Sequence, residues 1–178
     1  MKPLQAVAMG LVIVALVAKV NGFDLLPDPL GWALVVYGVG LLPALPWAGT
    51  VRFLCWLALA VSVLLWLPAV TDAIADADAS LEWAASLPQI AAVGTLCAAL
   101  ARTAGEQGDR KARDWLRTAC TLVVLTGLVP IVALAAEPSA IGAMIALGLV
   151  TIVIVIVLLF AYSSRPWAAP QVDQTTTP

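Results

Sequence analysis

Long apolar runs separated by short polar breaks make up almost the whole chain. They fall at residues 3–20, 30–46, 53–70, 83–101, 116–136 and 139–162. A spanning helix needs about 20 mainly apolar residues to cross about 30 Å of hydrocarbon. The pattern therefore predicts an all-α fold, a transmembrane helical bundle of six spans within residues 1–162. The second run is the shortest and reaches only ~26 Å at about 1.5 Å per residue, which local thinning of the bilayer accommodates. After Tyr162 comes "SSRPWAAPQVDQTTTP", polar and proline-rich, read as a disordered cytoplasmic tail over residues 163–178.

Charge sets the direction of threading. With the N-terminus in the cytoplasm, Lys2, Arg52, Arg102, Arg110, Lys111, Arg113, Arg117 and Arg165 all fall in inner segments, leaving Lys19 alone near an outer end. The outer segments hold Asp24, Asp28, Asp72, Asp76, Asp78, Glu82 and Glu137. Cytoplasmic loops carry an excess of Lys and Arg, so both termini are expected inside a multi-pass plasma-membrane protein. Tryptophans mark the same two interfaces: Trp32, Trp66 and Trp83 near outer ends, Trp47, Trp115 and Trp167 near inner ones, and only Trp56 a turn inside its helix. The first run carries Lys2 and an apolar stretch like a signal peptide, but no small-x-small cleavage site follows Val20, and it is read as a retained span.

Composition agrees with this solvent. The chain is 62% hydrophobic and 11% charged, with a mean hydropathy of +1.01, against about 25% charged residues in an average soluble domain. No histidine is present, which removes the commonest transition-metal ligand and general base. Cys55, Cys97 and Cys120 lie inside apolar runs without CxxC spacing and read as small buried hydrophobes. No ionisable residue falls near the centre of a span. That argues against a proton-coupled pump and against an aspartyl intramembrane protease. No cofactor and no nucleic-acid partner is expected.

Helices in lipid gain little from hydrophobicity and pack through small residues. Candidate seams are Gly38, Gly40 and Ala44 on the second span, Ala91, Gly94, Thr95 and Ala98 on the fourth, and Ser139, Gly142, Ala143, Ala146 and Gly148 on the sixth. The later half of the sixth, "LVTIVIVIVLLF", is bulky all round and is expected to face lipid. Pro43 and Pro68 fall at helix ends and Pro88 near a helix start. Pro130 lies in mid-helix three residues after Gly127, where a kink is expected.

Three polar stretches carry candidate chemistry. "TDAIADADASLEW" begins like a calcium loop at Asp76, Asp78 and Ser80, then fails at Leu81 and Leu87, where glycine and glutamate belong. It reads as a solvated acidic surface, with Asp24, Asp76 and Asp78 as weak metal candidates. "RTAGEQGDRKARDWLR" supplies Arg110, Lys111, Arg113 and Arg117 beside Trp115, a basic loop suited to anionic lipid head groups. Glu106 with Arg110, and Arg110 with Asp114, have helical ion-pair spacing. Between the first two spans, "NGFDLLPDPLGW" combines the turn signal Asn21-Gly22 with Pro27 and Pro29, which fix φ. Asp28 falls at the expected cap of the second helix with Pro29 at its first position, and Gly31 and Trp32 follow in the first turn.

The twelve residues Asn21 to Trp32 resemble a signature of small, uncharacterised polytopic membrane proteins of Gram-positive bacteria, actinobacteria above all. There a first span is followed by a variant of "(F/I)D(I/L)LPDxxG(Y/W)". The resemblance implies a bacterial plasma-membrane location and no catalytic residue.

Three functions follow as expectations. The leading one is a non-catalytic accessory or scaffold subunit with a membrane-protein partner or a second copy of itself. The next is a carrier or channel for a neutral or hydrophobic solute, which requires a polar cavity near the midplane. The third is an outward-facing, metal-dependent lipid-modifying enzyme using Asp24, Asp28 and the acidic loop.

Overall fold

The computed structural model describes residues 1–16, 19–20, 23–24, 28–42, 45–67, 70, 79–133 and 140–169. Within them run six α-helices: α1 (Pro3–Ala15), α2 (Asp28–Gly40), α3 (Ala48–Leu65), α4 (Ala79–Glu106), α5 (Arg110–Ala133) and α6 (Ala140–Tyr162). A 3-10 turn at Pro166–Ala168 follows. Two short strands, β1 (Lys19–Val20) and β2 (Phe23–Asp24), pair antiparallel with Lys19 opposite Asp24 and Val20 opposite Phe23.

Among the described residues three helical stretches are long and apolar enough to cross a membrane: Ala48–Leu65, Trp83–Glu106 and Ile145–Tyr162. The helices α1 and α2 have 13 residues each, about 20 Å of rise, and stop short of the expected 3–20 and 30–46. At the end of α1 the chain turns extended at Leu16, ahead of the pairing of β1 with β2. Asn21 and Gly22, between those strands, lie outside the described residues, as do Pro43, Ala44 and Pro68. Asp28 is itself the first residue of α2, one position inside the expected cap, where its charge still suits the positive helix end.

Each helix packs on the next in the chain, and α6 packs on α1, so the six form a closed ring. Neighbours run antiparallel. Gly38 lies against Pro3 and Val7 while Gly31 lies against Gly10 and Val14. Trp83 meets Gly127 and Gly94 meets Cys120 across α4 and α5. The short α4–α5 connection is fixed by hydrogen bonding. Gly108 adopts φ +79, a left-handed conformation that costs glycine little. Its N–H donates to Gly105 O at 3.1 Å, and Asp109 N–H donates to Ala104 O at 2.8 Å, the two bonds of a Schellman ending. Asp109 then starts the next helix, its Oδ1 accepting from Ala112 N–H at 3.1 Å.

Inward-facing side chains form one core, with Leu4, Val7, Leu11, Trp32, Val35, Val51, Leu96, Leu100, Leu116, Val155 and Leu159 buried. Outward-facing side chains are equally apolar: Phe53, Trp56, Leu128, Ile145, Leu149, Val153 and Val157 are all exposed. A helix hydrophobic all round belongs in lipid. On α6 the buried positions Thr151, Val155, Leu159 and Tyr162 form one stripe, so the expected lipid exposure of "LVTIVIVIVLLF" spares only that face.

Several seams differ from expectation. Gly38 packs closely, but a Cβ on Gly40 or Gly142 would meet nothing within 4 Å, and Ala143 and Ala146 are exposed. A Cβ on Gly148 of α6 would meet Thr126 Cγ2 at 3.6 Å, and Ser139 lies outside the described residues. Pro88 lies inside α4 because that helix begins earlier than the apolar run. The helix α5 continues through Pro130 to Ala133.

Candidate functional site: a cavity inside the helical ring

Five of the six helices contribute to a half-open cavity of about 170 Å³. Leu11 and Val14 come from α1, Trp32 from α2, Gln89, Ile90 and Val93 from α4, Val123 and Thr126 from α5, and Gly148, Thr151 and Ile152 from α6. The wall is apolar apart from four uncharged groups: the Trp32 indole, the Gln89 amide and two threonine hydroxyls.

The close approach of α1 and α2 puts Trp32 there. Gly10 and Gly31 face each other so tightly that a Cβ on Gly10 would collide with Gly31 O, and one on Gly31 would stand 2.7 Å from Gly10 O. With the helices this near, the residue after Gly31 is carried into the core. Trp32 is 1% exposed, so the expectation of an interfacial anchor is corrected. Its Nε1 is buried and has no hydrogen-bond partner among the described residues; Ser62 Oγ on α3 shares that condition. A buried polar group left unpaired costs about 1–3 kcal/mol.

The two hydroxyls are better satisfied. Thr126 Oγ1 donates to Leu122 O at 2.9 Å and lies 3.2 Å from Thr151 Oγ1. A hydroxyl has one proton. With that of Thr126 given to Leu122 O, Thr151 donates to Thr126 and keeps its own lone pairs open. Thr126 is the middle residue of the expected 116–136 span and Thr151 lies at the middle of the expected 139–162.

One turn away, Trp83 Nε1 donates to Gly127 O at 2.9 Å. Proline at position 130 has no N–H to give to the Thr126 carbonyl four residues back; Trp83 bonds the next carbonyl along the chain. Trp83 is thus tied to α5 through the Gly127–Pro130 segment, where the sequence marks a kink. Cys120 Sγ lies 3.4 Å from Gly94 O, and Cys55 and Cys97 are buried.

At the end of the ring that holds the α4–α5 connection, Asp109 gathers the C-terminal segment. Trp167 Nε1 donates to Asp109 Oδ2 at 3.4 Å, Arg165 Nε lies 3.5 Å from the same oxygen, and the Trp167 ring packs on Tyr162 with centroids 6.2 Å apart. Trp167 and Ala168 are buried. Residues 163–169, expected to begin a disordered tail, are instead folded back on the bundle, and 170–178 lie outside the described residues. The Ala112 N–H above all holds the Asp109 carboxyl below the usual carboxylate range, with Trp167, Arg165 and Lys111 acting the same way.

Beside this docked segment Arg110, Lys111, Trp115 and Arg117 are exposed and Arg113 half-buried. Four cations in the first turns of a helix oppose its dipole. The expected pairs are not the ones formed: Glu106 pairs with Arg102 at 3.0 Å and Asp114 with Arg113 at 2.8 Å. Gly108 ends α4 before Arg110, so Glu106 and Arg110 never share a helix. Arg102 also stacks 5.4 Å over the ring of Trp47.

Among the described residues no three His, Cys, Asp or Glu side chains come together as a metal site. Asp76 and Asp78 lie outside the described residues, and Asp24 is described only through its backbone pairing with Lys19. Sequence reasoning missed Gly10, the Thr126–Thr151 pair and the role of Asp109. The signal for Asp109 was present, as an aspartate directly after glycine and three residues before Ala112. Comparison with protein families, curated proteins and solved structures returned no match.

Proposed function

We propose that this chain is a six-span plasma-membrane protein that binds a small, neutral, largely apolar solute inside its helical ring and carries it across the bilayer. The observation behind this reading is the cavity of about 170 Å³ with an uncharged polar patch. An apolar cavity of about 150 Å³ admits benzene, so the fitting solute is of that size. Every polar group on the wall is neutral, and a bare charge there would meet no counter-ion. Of the functions expected from the sequence, only the carrier required such a cavity. The accessory-subunit reading remains compatible with the exposed apolar belt, but no particular contact favours it.

The six-span threading rests on geometry as well as hydropathy. Antiparallel packing brings Lys2, Arg52, Arg102, Arg110 and Arg165 to one end of the ring, as the positive-inside rule asks of a cytoplasmic face. The cations of α5, unfavourable at a helix start, are suited to anionic head groups there, with Trp115 at the interface. Single-cysteine variants at Gln107 (expected inside) and Ala75 (expected outside), in a background lacking Cys55, Cys97 and Cys120, test the threading with a membrane-impermeant thiol reagent.

Binding is tested with benzene-sized neutral solutes on the full chain in lipid nanodiscs, blanked against empty nanodiscs. Saturable binding is expected, and it is expected to disappear in Gly148→Leu, which fills the cavity from α6. Liposome influx of the bound solute then separates a carrier from a simple receptor. Absence of saturable binding by the wild-type chain would remove the reading.

A further inference from the structure

We propose that the groove which α4 and α5 form on the outside of the ring holds one anionic phospholipid, its acyl chain lying between the helices and its phosphate met by Arg113 and Arg117. This rests on the proposed threading, which puts that end of the ring at the inner leaflet, and is independent of solute carriage.

The groove has a volume of about 510 Å³, and its wall includes Trp83, Ala91 and Ala98 of α4 with Cys120, Val124 and Leu128 of α5. Val124 and Leu128 are exposed, so it opens away from the core. From Ala98 to Trp83 it runs about 22 Å at roughly 1.5 Å per residue. That exceeds the roughly 15 Å depth of one leaflet's hydrocarbon. Spread over this length, the volume gives a mean cross-section of about 23 Å². A helix is about 10–12 Å across with its side chains and cannot lie in so narrow a slot. A single file of methylenes can.

Both walls run on into arginines at one end. Along α5, Arg113, Arg117, Cys120, Val124 and Leu128 follow at three- and four-residue spacing, which keeps them on one face. Along α4, Arg102 comes one turn after Ala98 on the same face. Two contacts fix the level. Cys120 Sγ lies 3.4 Å from Gly94 O, and a Cβ on Gly105 would meet Arg113 Cδ at 3.0 Å. Arg117, between Arg113 and Cys120, therefore stands level with the Ala98 end of the groove. The acids nearby are taken: Asp114 by Arg113 at 2.8 Å and Glu106 by Arg102 at 3.0 Å. Arg117 is left without an ion pair among the described residues. Arg113 gives Asp114 its Nε–H alone, and the guanidinium fork that remains suits phosphate. A phosphate there also offsets cations that oppose the dipole of α5. A zwitterionic lipid brings its own cation to the same place and forfeits part of the attraction, so a net anionic head group is preferred.

The test is native mass spectrometry of the full chain in mild detergent with equal amounts of dioleoyl phosphatidylglycerol and dioleoyl phosphatidylcholine. One bound phosphatidylglycerol is expected, favoured about tenfold, the value of one charge-assisted hydrogen bond. Arg113→Gln with Arg117→Gln is expected to cut the preference to about twofold or less. Lys2→Gln with Arg52→Gln removes the same charge from α3 and the start of the chain, and is expected to leave it unchanged. Phosphatidylglycerol carrying a photoreactive diazirine in its acyl chain is expected to label Ala98 and Val124 ahead of the equally lipid-facing Phe53 and Trp56. Ala98→Trp, which fills the groove, is expected to abolish that labelling, and if it does not fold, the wild-type labelling pattern decides. Equal loss of preference in the two double variants reduces the effect to a diffuse charged face and overturns the site. Labelling spread evenly over α3, α4 and α5 overturns the acyl-chain seat. A lipid-free dimer joined through α4 and α5 gives the groove to a second copy and overturns the proposal. Because binding is read without a bilayer, a failure of the threading appears in the cysteine labelling and a failure of the lipid site appears here.

Discussion

A Cβ built on Gly31 would stand 2.7 Å from the carbonyl oxygen of Gly10 and 2.6 Å from Val14 Cγ2. The valine methyl can rotate, but the carbonyl belongs to the backbone of α1 and moves only if the helix does. Gly31→Ala is therefore expected to force α1 and α2 apart and to destabilise the fold by about 1–3 kcal/mol, as overpacking does. It should also disturb the Trp32 resonance one residue away. Gly40→Ala is the control. No atom would lie within 4 Å of its Cβ, and alanine in an open helical position is expected to be neutral or to stabilise by about 0.5–1 kcal/mol. Reversible unfolding in mixed detergent measures both.

The Thr126–Thr151 contact is a polar link between α5 and α6. Interhelical hydrogen bonds in membranes are worth about 0.6 kcal/mol on average, less than intuition about a low-dielectric setting suggests. A double-mutant cycle with Thr126→Val and Thr151→Val is expected to give a coupling near that figure. Each single variant should also change solute affinity, since both residues line the cavity. A coupling indistinguishable from zero would show that the 3.2 Å approach holds nothing together.

The hydrogen bond from Trp83 to Gly127 O predicts a specific sensitivity around Pro130. Trp83→Phe keeps most of the ring and removes the donor, and is expected to cost about 1 kcal/mol. Amide exchange measured by mass spectrometry should rise first in the peptide covering the end of α5. The conservative change matters here because Trp83 also fills space beside Ile90 and Leu87, so alanine would mix two losses.

Much of this architecture was legible because lipid imposes one rule on backbone, that every polar group be satisfied within a helix. Apolar run lengths therefore located α6 well and α4 within a few residues at each end, while α3 starts and stops five residues before the expected 53–70. They located α1 and α2 less well, because hydropathy does not register where a helix stops inside an apolar run, and Leu16 and Leu41 look no different from their neighbours. The cavity was less legible still. Trp32 read as an interfacial anchor by its place in the sequence. Only the contact between Gly10 and Gly31, two glycines in different helices, turns it inward. Hydroxyls such as Thr126 and Thr151 are unremarkable one at a time, and their pairing depends on the register of α5 against α6. Composition likewise could not separate residues 163–169 from the tail beyond them, because the docking of Trp167 depends on where Asp109 stands.

That docking makes a prediction about pH. Asp109 accepts from Ala112 N–H, from Trp167 Nε1 and from the Arg165 side, and its carboxyl titrates below the usual range, which for aspartate centres near 3.9. A carboxyl whose folded pKa is depressed contributes stability that is fully present above its unfolded pKa. That contribution is lost as pH falls through the folded value. The segment around Trp167 is therefore expected to stay docked from neutral pH down past the ordinary carboxylate range and to release only below it. Chymotryptic cleavage after Trp167 is too pH-bound a readout for that window, so the Trp167 indole resonance, assigned by loss in Trp167→Phe, follows the release. At pH 7 Asp109→Ala is expected to release the segment outright and to speed chymotryptic cleavage after Trp167. Asp109→Asn keeps an acceptor for Ala112 but loses the attraction to Arg165, and is expected to lie between. An Asp109→Asn protein that still releases the segment at the wild-type pH would place the controlling proton elsewhere.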